Sequence, residues 1–108
     1  MKRTLLIAGL ILTTGGILSA ADAKDNWTKH CAKCHGADGK GETKMGRQAG
    51  AKDYTDAKVQ AELKDDKAFK VIKEGLNENG KKKMDPYAEK LSDDEIKALV
   101  AHVRGFKK

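Results

Sequence analysis

The clearest hydrophobic pattern lies at the C-terminus, where Ile96, Leu99, Val100 and Val103 recur at helical spacing and every position between them is small or polar. Ser92-Asp93-Asp94-Glu95 has the form of a capping box, and Leu91 and Ile96 flank it as a hydrophobic staple. Gly105 comes next as a stop, so the pattern predicts a helix over residues 93–104. A second helix is expected over 66–74, with Asp65 as its cap, Phe69 and Ile72 facing inward and Gly75 ending it. A shorter one is expected around 57–63. Trp27, Cys31 and Cys34 fall at i, i+4 and i+7, on one helical face that must meet something large and apolar. No strand-like alternation stands out, so the expected fold class is all-α. The five glycines between Gly36 and Gly50 sit among polar residues and predict an irregular loop. Gly41 and Gly46 begin like a phosphate-binding loop, but Arg47-Gln48 stands where Lys and Ser or Thr would be needed.

One apolar stretch belongs to none of these elements. Leu5 to Leu18 lies after the basic pair Lys2 and Arg3, and small-residue cleavage sites come after it at Ser19-Ala20-Ala21 or Ala21-Asp22-Ala23. This is the pattern of a secretory signal peptide over residues 1–23, which leaves residues 24–108 as a single domain. The apolar run is shorter than the roughly 20 residues a helix needs to cross a bilayer, so no stable membrane insertion is expected after cleavage. Export implies a periplasmic location. The formal charge of +6 falls to +5 once Lys2, Arg3 and Asp22 are removed. Lysines and acids are interleaved with no arginine-rich run, which argues against a nucleic-acid partner and for an acidic protein one. A domain this small and this charged builds only a thin core, and something besides packing should hold it together.

Two cysteines in an exported chain would ordinarily suggest a disulfide, but Cys31-Ala32-Lys33-Cys34-His35 is a C-x-x-C-H haem-attachment motif. Residues three apart on a helical turn project to the same side, so both sulfurs can form thioethers to one porphyrin. His35 is then held beneath the ring as the proximal iron ligand. The rival readings are weaker. A thioredoxin-like pair needs a βαβ context, a zinc site needs two further ligands, and a plain disulfide leaves His35 unexplained. For the sixth position Met84 is preferred over Met45. Met84 stands alone in the polar segment Lys81-Lys82-Lys83-Met84-Asp85-Pro86-Tyr87, where helix packing does not account for it and Pro86 can stiffen the loop. His30 is turned about 100° from the thioether face and reads as a surface residue. His102, at the flank of the last apolar stripe, reads as structural.

With these residues in place the chain from Trp27 onward resembles a class I c-type cytochrome. The likeness runs through Cys31-Ala32-Lys33-Cys34-His35-Gly36, Gly39-Lys40-Gly41, the segment Ala68 to Gly75, Met84, and Leu91 through Arg104. The resemblance implies the cytochrome c fold, three to five helices around one covalent haem c, with the N- and C-terminal helices crossing beside it. It implies His35 and Met84 as axial ligands and a soluble periplasmic electron carrier, not an enzyme, whose partners are redox proteins. Lys81, Lys82 and Lys83 are candidates for docking an acidic partner. Arg47, Gln48 and Tyr54 are candidates for the haem propionates, with simple packing an equal alternative for Tyr54. Two departures from the family pattern stand out: Asp85 intervenes between Met84 and Pro86, and no proline lies in the loop after His35. The acceptor that orients His35 is therefore expected to be an ordinary carbonyl near Met45 or Gly46. Two alternatives stay open, a haem subunit of a larger redox complex and, if Met84 does not ligate, a ligand-binding, sensing or weakly peroxidatic haem domain.

Overall fold

The computed structural model describes residues 20–107. Residues 1–19, and with them nearly all of the expected leader, lie outside the described residues. The chain opens with one helical run in three parts: α1 (Ala20–Asn26), a π-helical turn (Trp27–Cys31) and α2 (Ala32–His35). Then come α3 (Lys44–Ala49), α4 (Ala57–Glu62), α5 (Asp65–Glu74), a hairpin of β1 (Leu76–Glu78) and β2 (Lys81–Met84), and α6 (Asp93–Arg104).

α6 begins and ends where the sequence places it. Ser92 Oγ accepts the Glu95 N–H at 3.1 Å, and the Glu95 carboxylate accepts the Ser92 N–H at 3.0 Å. Two N–H groups at the helix start, those of Ser92 and Glu95, thus gain partners. Leu91, Ile96, Leu99, Val100 and Val103 are buried, Ile96 and Leu99 completely, and each such side chain contributes roughly 1.5–3 kcal/mol of apolar transfer. α6 packs across α1 and beside α5. Asn26 at the end of α1 donates to the Glu95 carboxylate at 3.1 Å, tying the two ends of the domain together. The shared core is Trp27, Cys31, Ile72 and the α6 stripe, ringed by Tyr54, Leu63, Phe69, Met84, Tyr87 and Phe106.

A second clasp closes the other side. Arg104 reaches back from α6 to the Gln60 carbonyl and Oε1 at 2.7 and 3.1 Å, to the Leu63 carbonyl and to Asp65. Gln60, only 5 % exposed, donates to the carbonyls of Tyr54 and Val103 at 2.7 and 2.8 Å. The α4–α5 segment is held against α6 by polar bonds where apolar side chains are few.

Three expectations are corrected. The loop between Gly36 and Gly50 contains α3, which Thr43 caps by accepting the Gly46 N–H at 2.8 Å. α5 starts at Asp65 itself, with Lys64 at the cap position and no side-chain cap bond; Asp66 accepts the Lys67 N–H at 2.9 Å, Asp65 is held by Arg104, and both carboxylates suit the positive end of the helix dipole. Residues 76–84 form an antiparallel hairpin with Leu76 opposite Met84 and Glu78 opposite Lys81. Its two-residue turn, Asn79-Gly80, has positive φ at both positions (53° and 76°), the geometry that matches strand twist.

Candidate functional site

The first helical run ends at the C-x-x-C-H motif, and its π turn shifts the phase of the motif residues relative to α1. The Ala32 N–H bonds back to the Trp27 carbonyl, five residues away, so this turn holds one residue more than an α-helical turn. Trp27 and Cys31 are both buried, as one shared face requires, while Cys34 and His35 are half-buried. Both cysteines are free thiols. Burial, and then the neighbouring Cys34, push the Cys31 thiol up to about 12.

His35 stands between two rings. Trp27 lies 5.5 Å from it, tilted by 39°, and Tyr54 lies 5.5 Å away, tilted by 34°. The Trp27 Nε1–H donates to the Gly36 carbonyl at 2.9 Å, fixing the backbone immediately after His35. Burial lowers the His35 pKa and keeps the imidazole neutral, the form that ligates a metal. Its Nδ1 is buried without a hydrogen-bond partner. The acceptor expected near Met45 or Gly46 is not found; the Gly46 carbonyl accepts the Ala51 N–H at 2.8 Å instead. α3 is nevertheless fastened to the motif: the Thr43 hydroxyl donates to the Cys34 carbonyl at 2.8 Å, and Gly46 packs so closely on that carbonyl that a Cβ would overlap it.

The two candidate methionines separate clearly. Met45, on α3, is 42 % exposed, whereas Met84 ends β2 half-buried and packs against the core that contains Cys31. Met84 thus sits at a strand end, not in the proline-stiffened loop the sequence suggested. Tyr87, three residues on, also borders this core; its phenol is shifted up by burial first and then by Cys31, Asp85 and Cys34. Its hydroxyl donates to the His30 carbonyl at 2.9 Å, and the His30 ring meets it edge-on at 5.6 Å. His30 is therefore half-buried rather than a plain surface residue. His102 is structural, resting on Trp27 at 5.5 Å and on Phe106 at 5.0 Å. Arg47 and Gln48 are exposed on α3, and Tyr54 packs on His35. Of the three lysines before Met84, Lys81 and Lys82 are exposed and Lys83 is half-buried; Lys82 pairs with Asp85 at 3.1 Å.

Sequence reasoning did not find Gln60 or the Trp27–Gly36 bond. Gln60 sits in a polar stretch with nothing local to mark it as buried. The donor set fits a covalent haem: two free thiols three residues apart, a neutral imidazole with an unpartnered buried nitrogen, and an apolar surround that includes a thioether.

Fold and site together define a small class I c-type cytochrome, a class that holds haem c covalently, carries electrons and exchanges them with redox protein partners. The chain belongs to the cytochrome c family described as cytochrome c oxidase, cbb3-type, subunit III, which it matches over residues 19–103. It is similar to cytochrome c-553 of Helicobacter pylori, with 33 % identity over 108 residues, 99 % of this chain and 100 % of that one. Among solved structures it is similar to the KustC0563 c-type cytochrome, with a TM-score of 0.73 and 42 % identity over 81 % of this chain and 99 % of the other. A tyrosine-to-phenylalanine mutant of that protein also matches, with a TM-score of 0.70 and 42 % identity over 80 % of this chain and 99 % of the other.

Proposed function

We propose that the chain is a soluble periplasmic electron carrier, exported by residues 1–23 and working as the domain 24–108, with haem c bound through Cys31 and Cys34 and axial ligands His35 and Met84. The haem supplies a ferrous–ferric couple, taking up one electron and giving it away. His35, pinned between Trp27 and Tyr54 and neutral through burial, stays in place in both states. Met84, carried on a strand with a cross-strand partner, does the same. Two fixed ligands limit reorganisation, and a Met/His pair raises the potential relative to other axial sets. Held by both His35 and Met84, the iron would supply electron transfer and offer no open position to a substrate, which is the basis for reading the chain as a carrier and not an enzyme.

One observation carries the reading: of the two candidate methionines, Met84 packs on the core containing Cys31 while Met45 faces outward. The hairpin gives the docking surface its shape. Lys81 and Lys83 alternate with Lys82 and Met84 along β2, and Lys82 is partly neutralised by Asp85, so Lys81 and Lys83 present the charge that attracts an acidic redox partner. The test is direct. Exported protein carries the mass of one haem, its ferric form shows the iron–methionine charge-transfer band, and its ferrous form does not bind carbon monoxide. Colourless protein without the added mass sinks the haem assignment; carbon monoxide binding by the unaltered protein favours the ligand-binding alternative.

The family's description favours one further reading, a haem subunit of an oxidase complex. A stoichiometric membrane partner recovered with the native protein would support it.

A further inference from the structure

We propose that Gly75, at the C-terminal end of α5, is the positioning residue for Met84. This rests on the reading of Met84 as an axial ligand. Gly75 closes α5 with φ +79° and ψ 180°, a conformation that L side chains rarely adopt, and its N–H bonds to the Val71 carbonyl at 2.8 Å. What surrounds it is the backbone that carries Met84. A Cβ at Gly75 would lie 2.7 Å from the Met84 carbonyl oxygen, 2.9 Å from the Pro86 nitrogen and 3.2 Å from the Asp85 carbonyl carbon. No flexible side chain is available to swing aside.

Two further ties converge on the same helix end. Leu76, the residue after Gly75, is the cross-strand partner of Met84. Beyond Met84, the Tyr87 and Ala88 N–H groups bond to the Ile72 and Lys73 carbonyls at 3.0 and 3.1 Å, capping the last turn of α5 with the chain that leaves the ligand. The Met84 backbone is thus clamped to the end of α5 and the two residues that follow it, at the ligand and after it, and the clamp closes only because position 75 has no side chain. An added methyl drives the Met84–Pro86 backbone away from α5, and a metal–ligand bond does not tolerate such a displacement.

The test compares two glycines with positive φ. Gly50 is left-handed, with φ +74° and ψ 34°, and has nothing within 4 Å of where its Cβ would be, so Gly50→Ala places a methyl at a positive-φ glycine without the collision. Gly75→Ala holoprotein is expected to keep its covalent haem by mass but to lose the ferric iron–methionine band, to bind carbon monoxide when ferrous and to show a lower reduction potential. Gly50→Ala keeps the band and the potential of the unaltered protein. A Gly75→Ala protein with the band at full intensity overturns the proposal, as does equal loss of the band in Gly50→Ala. The ligand reading is tested separately with Met84→Ala. A band that survives Met84→Ala, or is missing from the unaltered protein, removes that reading and this one with it. If Gly75→Ala yields no holoprotein, Ala88→Pro deletes the N–H given to Lys73 at an exposed position and leaves Gly75 untouched. Its Met84 should be displaced severalfold faster by added imidazole, and an unchanged rate overturns the proposal.

Discussion

At Trp27 one side chain does two jobs: its ring rests on His35 and its Nε1–H fixes the Gly36 carbonyl. Trp27→Phe keeps an aromatic ring and deletes the donor. The Gly36 carbonyl still accepts the Gly39 N–H at 3.2 Å, so the lost bond costs about 1 kcal/mol, and the smaller ring adds a packing cost beside His102 and Phe106. The check is a lower denaturant midpoint at unchanged slope. The residues proposed for the site stand out in the sequence, the two cysteines and His35 by spacing and Met84 by being apolar in a run of charge, and the structure packs Met84 on the core that contains Cys31. Tyr54 was only half legible, because a ring lying on an imidazole so far away in the chain leaves no local pattern. Gln60 was not legible at all, since what makes it central is burial by Arg104 and by the Tyr54 and Val103 carbonyls, which no local spacing announces.

Among the elements, α6 was the most legible because a capping box, a staple and an apolar stripe all mark the same boundaries. The hairpin was missed because Lys81-Lys82-Lys83 offers no alternation, although Asn79-Gly80 is the strongest local hairpin signal in the chain. The π turn was invisible, as its effect is one of phase and not of residue type. The capping box makes a pH prediction. The Ser92 N–H and then the Asn26 amide hold the Glu95 carboxylate below its ordinary pKa in the folded protein. A carboxyl depressed in this way binds fewer protons folded than unfolded, so its stabilisation is fully present above the ordinary glutamate range. It is lost as the pH falls below the ordinary glutamate range and through the depressed folded value. Melting temperature measured against pH should fall more gently on that limb for Glu95→Gln than for the parent, and the parent should be the more stable of the two at neutral pH.

Over the whole molecule, α6 is fastened at both ends: to Asn26 at its start, and through Arg104 to Gln60, Leu63 and Asp65 at its finish. The Arg104 bonds to backbone and amide are partly buried, while its pair with Asp65 is largely solvated. Arg104→Met should therefore cost about 2 kcal/mol and Asp65→Asn less than about 1 kcal/mol, both read from denaturant unfolding. The overall layout was legible to the extent that crossing of the terminal helices is implied by the family likeness, but the polar clasp was not. Burial of Cys31 then sets an order of assembly. Cys31 is buried in the core that the α6 stripe completes, so the sulfur is open to a porphyrin while the last helix is still undocked. Asn26 and Glu95 are 69 positions apart, which makes docking of that helix a non-local event that closes a long loop. The C-terminal segment acts as a door that shuts behind the cofactor, and a chain whose door shuts first is left with its reactive sulfur out of reach.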